Sequence, residues 1–296
     1  MPVRVRLAVS AFACTVALGL TSAAEAACGS SEAVQRAPQS RVQARVIDNI
    51  LGEAGQALAR GEFGDACVKY RLVLSVEEDN FAARVGLGEG ALGEGDYASA
   101  RTHFQTALTA QPENAAALQG MGLAHLMAGD FAAAEPLLRQ TVELDAQQWR
   151  SWNGLGIIAD SRGDWAAADA AWSGAIAAAP NQAQVHNNRG MSLIQRGAAA
   201  AAIDAFDEAL RLRPELRTAA NNRRIALAMT GAYDAALAGV SESELPAVLN
   251  NVAVIAARRG DNAIADRLLA AALTAAPRYY ELAERNREAL RVGATR

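Results

Sequence analysis

Glycine returns along this chain at a fixed interval. Gly61, Gly95, Gly129, Gly163, Gly197 and Gly231 stand 34 residues apart, and Gly260 follows after 29. Five positions past each is an alanine: Ala66, Ala100, Ala134, Ala168, Ala202, Ala236 and Ala265. Four positions further, most copies carry a large apolar residue: Tyr70, Phe104, Leu138, Trp172, Phe206 and Leu269. Pro112, Pro180, Pro214 and Pro277 close four of the units, and Gly88, Gly122, Gly156 and Gly190 lie seven positions before their turns. Each column has a physical reason. The turn glycine supplies a backbone that other residues resist, and the Asp that often follows it can cap the next helix. The alanine lets two helices approach, the large residue fills the space beyond, and proline stops the second helix. The unit is therefore an antiparallel helix pair that buries its apolar face only by stacking on copies of itself.

These columns resemble those of the tetratricopeptide repeat. Residues 149–182, "WRSWNGLGIIADSRGDWAAADAAWSGAIAAAPNQ", fit best, with Trp152, Leu155, Gly156, Trp165, Ala168, Trp172, Ala175 and Pro180 on the family's marked columns. The resemblance implies an all-α, right-handed α-solenoid of about seven helix pairs. The repeats are placed at 47–80, 81–114, 115–148, 149–182, 183–216, 217–245 and 246–279, within a solenoid of residues 40–292. Val42, Val46, Ile50 and Ala54 extend the first helix back to Ser40, after a flexible leader at 27–39. A cap helix at 280–292 follows "RYY", with Tyr279, Leu282 and Leu290 offered for burial.

Two copies depart from the pattern. The 29-residue interval removes five residues after Val240, which predicts a short second helix in repeat six. Repeat two places Gly86, Gly88, Gly90 and Gly93 in one helix, each costing up to about 1 kcal/mol relative to Ala, so that helix is expected to be the least stable.

Arg4 and Arg6, the apolar run from Leu7 to Leu20 and the site Ala24-Glu25-Ala26 read as a secretory signal peptide over residues 1–26. That predicts a periplasmic or secreted product, with no transmembrane helix in the mature chain. Cys28 opens an alternative, a lipid-bearing first residue that would attach the protein to the outer membrane, but Glu25 stands where such signals carry an apolar residue. Cys14 would leave with the signal, and Cys28 with Cys67 makes no disulfide framework. A formal charge of −4 with scattered basic residues argues against nucleic acid.

The chemistry-bearing residues suggest no catalysis. "GLGEGALGEG" lacks the lysine and the preceding strand of a phosphate loop. His103, His125 and His186 are isolated from metal-ligand partners, and no cofactor or metal is expected. Four tryptophans crowd into repeat four. Three sit on packing columns, and Trp149 is the one expected to face a partner.

Paired asparagines carry the functional reading. Asn187-Asn188, Asn221-Asn222 and Asn250-Asn251 occupy positions five and six of repeats five to seven, with Asn153 at position five of repeat four. Positions 2, 5, 6, 9, 12 and 13 share one face of the first helix. In tetratricopeptide proteins that face lines a concave groove, and an Asn at position six commonly bonds a bound peptide. The resemblance therefore implies a groove of Asn153, Asn187, Asn188, Met191, Asn221, Asn222, Ile225, Met229, Asn250, Asn251 and Arg258. A purely structural role for this column stands beside that reading. The signal segment, the repeat number and "LNNVAVIAARRGD" are also similar to the TadD-like proteins of tight-adherence (Flp) pilus assembly. This similarity implies an accessory role there with a secretin or other pilus component as partner. The alternative is a periplasmic adaptor for peptidoglycan or protease machinery.

Overall fold

A computed structural model describes residues 31–276 and 280–294. The expected signal peptide, Cys28 and Tyr279 lie outside the described residues. The chain divides into two units, residues 1–46 and 47–296. The described part of the first unit is helical: α1 runs from Ser31 to Ala59 and crosses the boundary. Its start falls inside the segment expected to be a leader, because Glu32, Ala33, Gln35, Arg36 and Ala37 all favour helix. Val46, expected in the apolar stripe, is exposed, and Ile47 is buried instead.

The second unit is a succession of helix pairs, with no strand among the described residues. After α1 come α2 (Phe63–Val76), α3 (Phe81–Glu94), α4 (Tyr97–Ala110), α5 (Ala115–Met127), α6 (Phe131–Leu144), α7 (Trp149–Ser161) and α8 (Trp165–Ala178). The array continues with α9 (Ala183–Gln195), α10 (Ala199–Leu212), α11 (Arg217–Met229), α12 (Tyr233–Leu237), α13 (Leu245–Arg258), α14 (Asn262–Ala275) and α15 (Glu281–Ala294). The odd-numbered helices from α3 to α15 contact one another in sequence, forming one layer. From α4 onward each even-numbered helix packs on its own partner, and from α2 onward each leans on the next odd-numbered helix. This is an all-α solenoid of about seven pairs.

All seven turn glycines have positive φ, between 69° and 89°. Asp96, Asp130 and Asp164 cap the helices that follow, accepting from the amides of Ser99, Ala133 and Ala167 at 3.0, 3.2 and 3.1 Å. Asp261 does not cap. Its carboxylate is taken by Tyr233 Oη and Arg259. All seven alanines of the second-helix column are fully buried.

The small-residue column explains how the pairs close. A Cβ on Gly88, Gly122, Gly156 or Gly190 would stand 2.5–2.7 Å from Phe104, Leu138, Trp172 or Phe206, the large residue of the same repeat. A second glycine closes the next interface: Gly86 faces Tyr70, Gly120 faces Phe104 and Gly154 faces Leu138. The four glycines of α3 are thus receiving surfaces. Gly86 takes Tyr70, Gly88 takes Phe104, Gly90 takes Cys67 and Gly93 takes Phe63, so close packing offsets their poor helix propensity. Cys67 is buried there, its thiol pushed up by desolvation.

Repeat six breaks this rule. Its second helix, α12, has only five residues, Val240 falls beyond the helix, and Arg224 occupies the place held elsewhere by Gly88, Gly122, Gly156 and Gly190. At the end, α15 buries Ala283 and packs Leu290 against the clusters of α13 and α14. Leu282, expected to be buried, is exposed, because Ala283 and Leu290 are two helical turns apart and Leu282 lies about 100° off their face.

Two glycine substitutions test the role of close approach. Gly156→Ala puts a methyl 2.6 Å from Trp172 and should cost about 1–3 kcal/mol by overpacking. Gly52→Ala, where nothing lies within 4 Å, should gain about 0.5–1 kcal/mol of helix propensity. Denaturant unfolding of both variants checks the pair, and equal effects would contradict the packing role.

Candidate functional site

Position six of the first helices changes character along the array. It reads Gly52, Gly86, Gly120 and Gly154, then Asn188, Asn222 and Asn251. At Gly86, Gly120 and Gly154 the backbone admits a ring or a leucine from the preceding repeat, whereas nothing approaches Gly52, and downstream an amide replaces the glycine.

Part of the amide set is consumed internally. Asn222 Nδ2 donates to Asn187 Oδ1 at 3.0 Å, Asn187 Nδ2 to Asn188 Oδ1 at 3.1 Å, and Asn188 Nδ2 to Asn153 Oδ1 at 2.8 Å. One chain of amides therefore ties α11 to α9 and α9 to α7. Asn286 Nδ2 on α15 extends the device to Asn250 Oδ1 at 2.8 Å. Asn187 and Asn250 are 4% and 2% exposed, so these two expected groove residues serve the helix stack. Two adjacent helical positions point about 100° apart, and only the second of each doublet turns outward at α9 and α13. At α11 Asn221 is exposed and accepts from Arg224 at 3.1 Å.

Six of the remaining residues, Asn188, Met191, Asn221, Ile225, Asn251 and Arg258, line three cavities. Between α7 and α9, about 260 Å³ is bounded by Ile157, Asp160, Ser161, Trp172, Asn188, Met191, Ser192 and Gln195. Between α11 and α13, about 340 Å³ is bounded by Asn221, Arg224, Ile225, Ser243, Glu244, Ala247, Val248, Asn251, Val252 and Ile255. Between α13 and α15, about 430 Å³ includes Arg258, Val254, Asn286 and Leu290. Asn153, Asn222 and Met229 are half-buried and line none of these three. The middle cavity opens at the irregular repeat, where Arg224 replaces a small residue and the loop after α12 supplies Ser243 and Glu244. Ile225 is 37% exposed at its wall.

The face is obstructed further upstream. Arg150 on α7 bonds both oxygens of Glu89 on α3, at 3.2 and 3.0 Å, across the intervening α5. Trp149, expected to be exposed, is half-buried, and Trp165 at the start of α8 is the exposed tryptophan. His186 is buried, with Nε2 2.8 Å from the carbonyl of Pro180. Among the described residues no group of His, Cys, Asp or Glu is arranged to hold a metal.

Asp160 escaped the sequence reading. Three positions before the turn the repeats carry Leu58, Leu92, Leu126, Asp160, Ile194, Ala228 and Ala257, so the signal was a carboxylate in an apolar column. Its oxygens accept from Ser192 Oγ at 2.7 Å and Trp172 Nε1 at 3.3 Å. Burial pushes its pKa up, against the opposing pull of those two bonds and of Arg196. A carboxyl group with a raised folded-state pKa favours the folded state when protonated, and that advantage is lost as pH rises through the folded value. Relative to Asp160→Asn, the wild-type chain should therefore gain stability as pH falls below 7 toward the ordinary carboxylate range. Unfolding both proteins across pH 4–7 measures the difference, and a widening deficit for the wild type at low pH would reverse the assignment.

Two family models, both described as tetratricopeptide repeat, match the chain, one at residues 91–155 and the other at 52–115 and 153–217. No curated protein matches it. The fold is similar to that of Cut9–Hcn1, a hetero-tetramer of APC/C, with TM-score 0.61 and 16% identity over 78% of this chain and 47% of that one, so this chain spans about half its length. It is also similar to TTC0263, a thermophilic TPR protein in Thermus thermophilus, with TM-score 0.54 and 16% identity over 64% and 98% of the two chains. A tetratricopeptide repeat protein from Parabacteroides merdae gives TM-score 0.52 and 12% identity over 83% and 99%. The family models together cover residues 52–217 without a break, and the helix pairs continue past them to Ala275: the chain is a tetratricopeptide-repeat protein.

Proposed function

We propose that this non-catalytic repeat protein is an exported scaffold that holds an extended segment of a partner protein along the first-helix groove of repeats four to seven. The observation that carries the reading is the cavity between α11 and α13. Its wall is apolar, from Ile225, Val248, Val252 and Ile255, and its rim offers Asn221 and Asn251. An extended segment presents alternating backbone amides and side chains. Amide side chains can donate to and accept from that backbone, while the apolar wall takes one side chain. Neighbouring cavities hold Met191 on one side, beside an Asn188 whose oxygen is taken by Gln184 and Asn187, and Arg258 on the other, which gives a segment further points of attachment.

The narrower reading is an accessory role in tight-adherence (Flp) pilus assembly, with a secretin or another assembly component as partner. Its support is the signal-like segment 1–26, the repeat number and the ending "LNNVAVIAARRGD". No helix among the described residues is long and apolar enough to cross a membrane. A photo-crosslinking residue placed at Ile225 should capture the partner in the native host, whereas one at Leu72, exposed on α2, should not. A pilus component in the captured band supports the narrower reading, and a peptidoglycan enzyme or a protease supports the adaptor alternative.

Ile225→Glu alters an exposed side chain and should leave the melting temperature nearly unchanged, whereas Asn251→Ala also removes the acceptor of the buried Asn250 Nδ2 at 3.4 Å and should lower it. Each should weaken the captured partner at least about tenfold, equivalent to about 1.4 kcal/mol. Unchanged affinity in both, measured by titration with the purified partner, would overturn the groove.

A further inference from the structure

Two departures from the repeat pattern and an indole on a regular packing column meet at one cavity. Asp160 replaces the aliphatic residue of its column, and Ser192 stands where neighbouring repeats have Gly90, Ala124, Ile158 and Ala226. Trp172 brings an indole N–H to the column that holds Phe104, Leu138 and Phe206. Asp160 is 9% exposed, and Ser192 and Trp172 are 1%. A buried carboxylate is expensive, and a leucine here would cost nothing of the kind. The cluster ties α7 to α9 through Ser192 and to α8 through Trp172, but the other repeats close without such a carboxylate.

The geometry leaves capacity for a ligand. One donor reaches each carboxylate oxygen, Ser192 Oγ to Oδ1 and Trp172 Nε1 to Oδ2. A carboxylate offers about four acceptor sites, so both oxygens retain one. The neighbouring cation is already engaged: Arg196 forks onto Asp169 at 2.8 and 2.7 Å. Arg189 also acts on Asp169 and Arg196 acts on Asp160, but Asp160 itself forms no ion pair among the described residues, its two oxygens being met only by neutral donors. The cavity beside them is walled by Ile157 and Met191, which suit an aliphatic stem, and bordered by Gln195.

We propose that the cavity between α7 and α9 is a cation-binding subsite, in which Asp160 receives the terminal group of a lysine or arginine side chain. It rests on the groove reading only for the origin of that side chain, a basic residue of the partner segment. Ser192 and Trp172 are positioning residues that fix the carboxylate and keep its charge available.

The test uses the full chain and three small probes: the N-acetyl, N-methylamide derivatives of lysine, arginine and norleucine. The indole ¹H–¹⁵N resonance of Trp172, assigned by its loss in Trp172→Phe, reports on the carboxylate. A saturable shift with the lysine or arginine derivative, absent with norleucine and at least about tenfold weaker in Asp160→Asn, supports the subsite. No shift with either cation, an equal shift with norleucine, or full retention in Asp160→Asn overturns it. Asp160→Leu combined with Ser192→Ala restores the repeat pattern and guards against a folding failure. It should melt higher than wild type and bind neither cation, and a lower melting temperature would make the cluster structural. Ile225→Glu separates the two claims: it should lose partner binding while its Trp172 titration stays unchanged.

Discussion

The structure depends on one contact repeated along the chain: a large side chain of the second helix seated on a glycine of the first. Phe104 shows the arrangement in full, lying between Gly88 of its own repeat and Gly120 of the next. One ring thus closes a pair and joins it to its neighbour. Helix axes brought this close leave little room for adjustment, since interiors are packed to crystal-like density. Stability in such an array comes from each repeat and its interface with the next, which is why the glycine spacing is kept with so little slack.

Departures from that contact are where the molecule acquires chemistry. From repeat five onward Asn replaces Gly at position six, and the amides tie α7, α9 and α11 into a line. At repeat six the second helix is cut short, Arg224 enters the small-residue column, and a cavity opens between α11 and α13. At repeat four a carboxylate enters an apolar column and recruits a hydroxyl and an indole from adjacent elements. The upstream face is crossed instead by the Glu89–Arg150 pair. The array is regular where it needs only to stack and irregular where its face is open.

Most of the architecture was legible because helix pairs that stack must repeat their contacts, and contacts that repeat leave columns. The 34-residue spacing placed the turns, the pairs and the shortened sixth repeat. The site was less legible, for geometric reasons. A doublet such as Asn187-Asn188 cannot send both side chains to one surface, and the sequence did not show that Asn187 would turn inward. Leu282 and Ala283 exchanged roles by one helical step, a shift that composition does not resolve. The glycines of α3 read as a weakness because their occupants, Tyr70, Phe104, Cys67 and Phe63, come from other helices. Asp160 was visible in principle, but only to a reading that looked for breaks in a column as carefully as for its regularity.

The most direct measurement is hydrogen exchange of the full chain with and without its captured partner. Slowed exchange should concentrate on α9, α11 and α13, with α2, α4 and α6 unchanged. Protection confined to the second helices, or spread evenly along the array, would contradict a partner held on the first-helix face.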